Sequence, residues 1–230
     1  MLLGNKLDNW NGIVSLFIAC VEFVLLLNIL FFAERNKVNL LAAVLVLILM
    51  NYQLLEFIIC YADAGLPFTA YIAFVNISFL PPLGLLIVLR FWNYNSRYWL
   101  LLFVPALFFT VYYYLSVDQF YVGKCTPFYA SYNYPLGFLY GLFYYIPVLA
   151  TVVLLSVKVK MNNGNKKLLS GVLLGGYILT SIPVAASFVF AWLGKPGLQL
   201  VIESVMCKSA VVLAFCYLYF SLQNKKEKVI

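Results

Sequence analysis

Four ionisable side chains lie inside long apolar stretches of this chain. Lys208 lies in the last stretch, and Glu203 precedes it there by five residues. Glu22 lies in the first stretch and Glu56 in the second. A charged side chain at the centre of a bilayer costs roughly 2.5–3.5 kcal/mol or more, and such residues mark ligand sites, proton paths or ion pairs. The chemistry open to this set is therefore ion pairing, proton relay, or nucleophilic attack by the lysine amine.

The heights of these residues in the membrane can be compared from the rise of a helix, about 1.5 Å per residue. Lys208 and Glu22 are each about ten residues, or ~15 Å, from the outer boundary, whereas Glu56 and Glu203 are about five residues from it. Side chains on one helix face are three or four residues apart, so Glu203 is badly placed to reach Lys208. We expect Lys208 to pair with Glu22 or Glu56. With two amides at similar heights, the candidate site comprises Glu22, Gln53, Glu56, Asn76, Glu203 and Lys208.

Two interpretations of this polar group remain open. The inner half of most apolar stretches is leucine, valine and phenylalanine, which favours an outward-opening intramembrane pocket that is closed below. The other interpretation is an ion pair that only fixes which helices meet. Enzymatic chemistry and a metal site are not expected, because the chain has no histidine, the commonest metal ligand and general base.

Membrane-spanning helices must position these residues. The chain is 65% hydrophobic and 10% charged, with a mean hydropathy of +0.96, whereas soluble domains carry about 25% charged residues. The composition predicts an all-α, polytopic membrane protein consisting of one seven-transmembrane-helix bundle. The predicted spans are 12–33, 38–61, 68–92, 98–116, 134–157, 168–193 and 198–222. Most of the 20 phenylalanines and 18 tyrosines are expected to face lipid or the membrane interface.

The charges of the loops predict the orientation. Eleven lysines and arginines fall on one side of the spans and three on the other, apart from Lys208 within the last span. The positive-inside rule then places the N-terminus outside and the C-terminus in the cytoplasm of a multi-pass cell-membrane protein. The net charge of +7 is thus a topology signal. The expected partner is the lipid bilayer, and nucleic-acid binding is not expected.

Two cysteines lie on the predicted outer side. Cys60 is at the end of the second span and Cys125 is in the longest connection, residues 117–133. A disulfide between them that holds this connection over the bundle is one interpretation, since the outer side is oxidising. Two unpaired thiols are the other interpretation, because cysteine is common in apolar helices.

Prolines and glycines predict local helix geometry. The strongest bend is expected at Pro81–Pro82, because each proline removes a helical hydrogen bond. Gly137 and Gly141, and likewise Gly171 and Gly175, share a helix face. Such pairs allow close helix approach, which we expect inside the bundle.

Two motifs resemble those of a family of small, uncharacterised bacterial seven-span membrane proteins. Residues 52–59 (YQLLEFII) resemble its Q-L-hydrophobic-E-x-hydrophobic-hydrophobic-W motif, and residues 203–207 (ESVMC) resemble P-S-hydrophobic-hydrophobic-C with Glu203 in place of proline. The resemblance implies a seven-span fold in a bacterial inner membrane and makes Gln53 and Glu56 signature residues, but it implies no activity. The layout also resembles the seven-span sensor modules of bacterial histidine kinases, although no kinase domain follows in this sequence.

A lysine in the middle of the seventh helix is also similar to microbial rhodopsins, in which that lysine binds retinal as a Schiff base. Lys208 and a bend at Pro183 fit that pattern. Asn76 stands where an acidic counterion would be expected, and Glu203 precedes the lysine by five residues rather than four. Retinal at Lys208 is therefore an alternative, and no other cofactor is predicted.

The function that the sequence favours is a non-enzymatic sensor or small-ligand receptor. The main alternative is a proton-coupled or small-solute transporter in which Glu22, Glu56 and Lys208 act as relay groups. A transporter requires a polar path that continues to the cytoplasmic side, whereas a receptor requires a pocket that is closed below. The apolar inner half of the spans favours the receptor. A receptor would also need a protein partner for signalling, which the sequence does not identify.

Overall fold

The computed structural model describes residues 10–61, 67–94, 96–128, 130–192 and 199–225, with the backbone alone for residues 97, 184, 185, 187–192 and 199–205. The described chain is almost entirely helical, as the composition predicts. Its helices are α1 (Ile13–Phe32), α2 (Lys37–Tyr61), α3 (Pro67–Ser78), α4 (Leu80–Phe91), α5 (Val104–Leu115), α6 (Gly137–Met161), α7 (Gly164–Trp192) and α8 (Gln199–Gln223). A hairpin of two strands, β1 (Tyr121–Cys125) and β2 (Ala130–Asn133), lies between α5 and α6.

Six stretches of the described chain are long and apolar enough to cross a membrane. They are Ile13–Phe32, Lys37–Tyr61, Pro67–Phe91, Tyr98–Leu115, Gly137–Met161 and Met206–Gln223. Helices are expected there because lipid offers the backbone no hydrogen-bond partner. The all-α class is thereby confirmed, and the six apolar stretches fit a membrane-embedded protein. The sixth predicted span, 168–193, falls in α7, which is not among these six stretches.

The third predicted span is divided where the prolines predict a bend. α3 ends at Ser78, and α4 begins at Leu80 with Pro81 and Pro82 in its first turn. The first turn of a helix tolerates proline because its N–H groups have no partner within the helix. The proline pair therefore starts a second helix rather than bending a continuous one. In the fourth span, a 3₁₀ helix (Arg97–Phe103) precedes α5.

Two groups of buried side chains fill the bundle. The first is mainly aliphatic and is formed chiefly by α1, α2, α4, α7 and α8; it includes Leu26, Ile29, Val46, Ile87 and Leu173. The second is mainly aromatic; it includes Phe74, Tyr113, Phe120, Tyr132, Tyr140 and Tyr144. The prediction that most aromatic side chains face lipid does not hold for this second group, because aromatic side chains of several elements pack against one another there.

The hairpin is held against the helices at one end of the bundle. Cys125 forms a disulfide with Cys60 at the end of α2, with a Cα–Cα distance of 5.5 Å. The backbone N–H of Gly12 donates to the carbonyl of Thr126 at 3.1 Å. Gly12 has a φ of 76°, and a Cβ there would lie 3.2 Å from the Cα of Phe57, so only glycine fits at this crossing. We call this end of the bundle the disulfide end.

Close approach of helices occurs at other glycines than those predicted. Among the described residues, no atom outside the helix's own nearby backbone lies within 4 Å of where a Cβ would stand on Gly141, Gly171 or Gly175. A Cβ on Gly176 would instead lie 2.9 Å from Sγ of Cys216 on α8. The prediction of a close approach at Gly171 and Gly175 is therefore wrong. The small residue that lets α8 approach is Gly176, which lies about 100° around the helix from Gly175.

Candidate functional site

The side-chain ammonium of Lys208 joins three helices. Its Nζ lies 2.8 Å from Oε2 of Glu56 on α2. It donates to Oε1 of Gln53, also on α2, at 2.9 Å and to Oγ of Ser15 on α1 at 2.7 Å. Since an ammonium group has three N–H donors, these three partners are as many as it can bind directly. We call these four residues the Lys208 network.

The spacing on α2 explains why this lysine finds two partners on one helix. Gln53 and Glu56 are three residues apart and therefore share a face of α2. The Gln53 amide also donates to the carbonyl of Cys207 at 2.8 Å, which fixes its oxygen toward Lys208. The Glu56 side chain is 1% exposed and the Lys208 side chain 13%. Such a pair is stabilised only when its members are held in good geometry, because both lose hydration on burial.

Glu22 is buried on the same face of α1 but does not join this network. It lies seven residues beyond Ser15, which is two turns along one helix face. Its side chain is fully buried, and neither carboxyl oxygen has a hydrogen-bond partner in the described part of the chain. Lys208 is close enough to act on it electrostatically. The sequence offers two acids as partners for Lys208, and in the structure Lys208 pairs with Glu56.

The other two predicted site residues lie elsewhere or are not described. Asn76 donates to the carbonyl of Ile48 at 2.7 Å and accepts from the amide of Asn51 at 3.1 Å. These bonds connect α3 to α2 and leave Asn76 outside the Lys208 network. Glu203 belongs to α8, but its side chain lies outside the described part of the structure.

Two small cavities lie among the helices, the second of them reaching the hairpin, and we call them the tyrosine cavities. The first has a volume of about 60 Å³ and the second about 40 Å³. Both are lined by Tyr52, Ile77, Tyr144, Tyr145, Met206 and Cys207. The second is also lined by Tyr132 and Tyr134, so the hairpin forms part of its wall. The cavities are therefore apolar spaces that carry several phenol groups.

The tyrosine cavities and the Lys208 network share two backbone segments. Tyr52 lines both cavities while the next residue, Gln53, bonds to Lys208. Cys207 also lines both cavities while its carbonyl accepts from Gln53. Lys208 and Glu56 line neither cavity. A molecule in the cavities would therefore touch the segments that carry the network without touching the ion pair itself.

Tyr132 links the hairpin to this region electrostatically. Burial raises the pKa of its phenol well above the ordinary value, and the carboxylate of Glu56 acts in the same direction. Tyr132 therefore stays protonated at neutral pH and can donate a hydrogen bond.

The chain between the Lys208 network and the opposite end of the bundle is mostly apolar in its described part. The buried residues of α1, α2 and α8 there include Leu25, Leu26, Ile29, Ala42, Val46, Leu49, Leu213 and Ala214. Tyr177 and Tyr217 are also buried there, but their hydroxyl groups bond to each other at 2.8 Å. Glu22 is the ionisable exception.

Several residues of the site were not predicted as part of it. Ser15 was missed because a serine near a helix end is common, although its spacing of seven residues from Glu22 places both on one helix face. Tyr52 and Tyr132 were missed because the sequence does not show whether an aromatic side chain faces lipid or the protein interior. A spacing of four residues between Tyr140 and Tyr144 is consistent with a shared face, but it does not say whether that face meets lipid or protein.

Comparison with known protein families, with characterised proteins and with solved structures found no match to this chain.

Proposed function

We propose that this protein is a non-enzymatic membrane sensor that binds a small apolar or aromatic molecule in the tyrosine cavities. The observation that carries the proposal is that Tyr52 and Cys207 line the cavities and adjoin Gln53 and Lys208. The cavities, of about 60 and 40 Å³, are smaller than the roughly 150 Å³ that holds a benzene ring. A ligand would therefore have to enlarge them, which would displace α8 relative to α2. The network between them would then have to rearrange, because its hydrogen bonds tolerate little change in distance.

The Lys208 network is suited to act as the element with two states. Its ion pair is largely removed from water, so a small displacement changes its energy more than at a surface. Packed interiors respond to such displacements by switching between discrete arrangements rather than by gradual deformation. In the expected signalling state, α8 would carry the change along its length to a protein partner.

The apolar core beyond the network favours a sensor over a transporter. A transported proton or solute would need polar groups along its whole path, whereas the described residues beyond the network are mostly aliphatic. One observation supports a proton-coupled transporter as the second candidate. Glu22 is fully buried and has no hydrogen-bond partner among the described residues, and membrane carboxyl groups of this kind serve as proton-binding sites in pumps.

Retinal at Lys208 has less support. A Schiff base would replace the three contacts of Nζ to Glu56, Gln53 and Ser15. It would also need space beside the lysine, which lines neither tyrosine cavity.

For the membrane arrangement we propose seven spans, including α7, with the N-terminus outside and the C-terminus in the cytoplasm of a bacterial inner membrane. A disulfide at one end of the bundle supports an oxidising outer side for that end. At the other end, Lys37, Arg90, Lys166 and Lys225 gather around one cavity. Basic residues concentrated at the end away from the disulfide agree with the positive-inside rule.

The ligand hypothesis is tested with phenol as a probe, because phenol has the ring and hydroxyl group of the tyrosines that line the cavities. We expect phenol to raise the thermal unfolding midpoint of the purified protein in detergent. Ala210 lines the first cavity, so Ala210→Leu should fill it and abolish the effect. Val212→Leu on the exposed side of α8 is the matched control and should retain it. An equal effect of phenol on both variants would contradict binding in the first cavity.

A second measurement separates the sensor from its alternatives. In proteoliposomes containing a pH-sensitive dye, a sensor should give no proton flux above that of protein-free vesicles. A flux that Glu22→Gln abolishes would establish the transporter instead. With added all-trans retinal, a visible absorption band that is lost in Lys208→Ala would establish a Schiff base.

A further inference from the structure

A third cavity, larger than the tyrosine cavities, lies at the end of the bundle opposite the disulfide. Its volume is about 390 Å³, and the ends of four helices line it. These are the start of α2, the end of α4, the start of α7 and the end of α8. The volume falls within the range of small-molecule sites, roughly 300–1,000 Å³. We call it the basic cavity.

Each of the four helix ends contributes one basic side chain to the basic cavity. These side chains are Lys37 from α2, Arg90 from α4, Lys166 from α7 and Lys225 just after α8. No aspartate or glutamate is among its lining residues in the described part of the chain. Glu34 precedes the α2 segment by three residues and does not line the cavity. Arg90 and Lys166 also take part in other interactions. The excess of basic over acidic residues in the described lining still gives the cavity a positive potential, which low-dielectric walls concentrate.

The remaining lining of the basic cavity suits an anion with polar oxygens. Asparagine amides stand around it, at Asn36, Asn93, Asn163, Asn165 and Asn224. Amide N–H groups and basic side chains together supply the donors that a phosphate group requires. Two buried apolar residues, Phe91 and Leu169, form part of the lining as well. The lining thus combines hydrogen-bond donors with a smaller apolar surface.

Hydrogen bonds hold two walls of the basic cavity in place. Asn39 donates to the carbonyl groups of Ser221 and Glu34 at 3.1 and 2.9 Å. Asn224 donates back to Oδ1 of Asn39 at 2.8 Å, and Asn36 donates to the carbonyl of Asn224 at 3.2 Å. These bonds fix the end of α8 against the start of α2. The fold thereby fixes the backbone at Lys37 and Lys225, although the side chains of these two residues remain flexible.

Two helices begin at the basic cavity and two end there, so the helix dipoles together add no net positive potential, but the two N-termini bring N–H donors to it. α2 and α7 both begin at the basic cavity, with Lys37 and Gly164 as their first residues. The N-terminus of a helix carries a partial positive charge and N–H groups that have no partner within the helix. Helix N-termini therefore bind phosphate groups readily when basic side chains stand nearby.

We infer that the basic cavity binds a phosphate-bearing anion, carried either by a soluble small molecule or by a lipid headgroup. The basic cavity is a different site from the tyrosine cavities, and anion binding there does not rest on the proposed sensor function. It also does not depend on which side of the membrane this end of the bundle faces.

Inorganic pyrophosphate is the probe for the first experiment. Added to the purified protein in detergent at constant ionic strength, it should raise the thermal unfolding midpoint in a saturable manner. Lys37→Gln/Lys225→Gln removes two exposed cations from the cavity and should weaken the apparent affinity by about tenfold or more. The matched control is Arg35→Gln/Lys167→Gln, which removes two exposed cations from neighbouring positions outside the cavity and should leave the affinity unchanged.

Two outcomes with this pair of variants overturn the inference. The first is that pyrophosphate has no saturable effect on the unfolding midpoint. The second is that the affinity for pyrophosphate falls equally in both double variants, which would mean that the charges act only as a diffuse surface potential. Arg90→Gln is a third variant, at a half-buried rather than exposed side chain; it should also lose affinity. An unchanged affinity in Arg90→Gln together with Lys37→Gln/Lys225→Gln would place the anion elsewhere.

Nanodiscs distinguish the two sources of the phosphate group. If the native ligand is soluble, pyrophosphate should stabilise the protein equally in phosphatidylcholine and in phosphatidylglycerol nanodiscs. If the native ligand is a headgroup, phosphatidylglycerol should itself raise the unfolding midpoint and remove the effect of pyrophosphate. Both effects should be lost in Lys37→Gln/Lys225→Gln and kept in the control. A lipid effect that is the same in both variants would contradict a headgroup in the basic cavity.

Discussion

Glu22 and Glu56 are equally buried carboxyl groups that differ in their partners. Glu56 pairs with Lys208 at 2.8 Å, whereas the two carboxyl oxygens of Glu22 have no hydrogen-bond partner in the described chain. Removing one member of a buried ion pair leaves the other charge uncompensated and costs roughly 3–5 kcal/mol. Removing a buried polar group that lacks a partner instead relieves a penalty of about 1–3 kcal/mol.

We therefore expect opposite effects from two substitutions of the same kind. Glu56→Met should lower the free energy of unfolding by roughly 3 kcal/mol, because Lys208 loses its counterion. Glu22→Met should leave it unchanged or raise it, because methionine fills a similar volume without a polar group. Chemical unfolding of the reconstituted protein measures both. Equal losses in the two variants would mean that Glu22 has a partner of comparable strength in the folded protein.

Rescue by a second substitution checks the pair directly. Lys208→Met combined with Glu56→Met should recover most of the stability that Glu56→Met loses, because no unpaired charge remains. Additive losses would show that the two side chains act independently and would contradict their pairing.

Among the helices, α7 and α8 meet where Gly176 faces Cys216 and Leu213. A Cβ at Gly176 would lie 2.9 Å from Sγ of Cys216 and 3.0 Å from Cδ1 of Leu213. Gly176→Ala should therefore destabilise the protein by about 1–3 kcal/mol, the usual cost of overpacking. Gly175→Ala is the matched control: no described atom of another helix stands within 4 Å of its Cβ position, and alanine favours a helix by up to about 1 kcal/mol over glycine. Thermal unfolding midpoints that fall by the same amount in both variants would contradict the observed helix contact.

The hairpin is the other element with a specific attachment. Its disulfide joins residues 65 positions apart, and a link of that length contributes about 2–4 kcal/mol. Reductant should lower the unfolding midpoint of the parent protein to that of Cys60→Ser/Cys125→Ser. The same reductant should leave the double variant unchanged, which is the control. If the thiols of Cys60 and Cys125 become reactive, the disulfide has been reduced. A parent protein that then loses no stability would show that the other contacts hold the hairpin.

For the whole molecule, the proposed orientation places the disulfide end outside and the basic cavity in the cytoplasm. Asp118 and Lys160 are exposed residues near these opposite ends, so each can be replaced by cysteine without disturbing the core. In intact bacterial cells, a charged maleimide should label Asp118→Cys but not Lys160→Cys, and both should react after permeabilisation. The parent protein controls for its own cysteines. The reverse labelling pattern would invert the topology.

Much of this architecture follows from the sequence because the deciding property is local. An apolar run of about 20 residues forms a helix in lipid whatever its neighbours are, since its backbone has no other hydrogen-bond partner. The choice of Lys208, Gln53 and Glu56 as site residues is local in the same sense. A lysine among apolar residues needs a partner, and few acids share its height.

Only the tertiary structure decides how the helices are rotated and which side chains therefore meet. Glu22 matches the height of Lys208 more closely than Glu56 does, yet the ion pair forms with Glu56 because α2 turns that face toward α8. Asn76 has a suitable height but faces Ile48. The tyrosine cavities and the basic cavity are each lined by side chains from several elements. A sequence determines the periodicity of each helix, whereas the rotation of one helix against another depends on how all of them pack together.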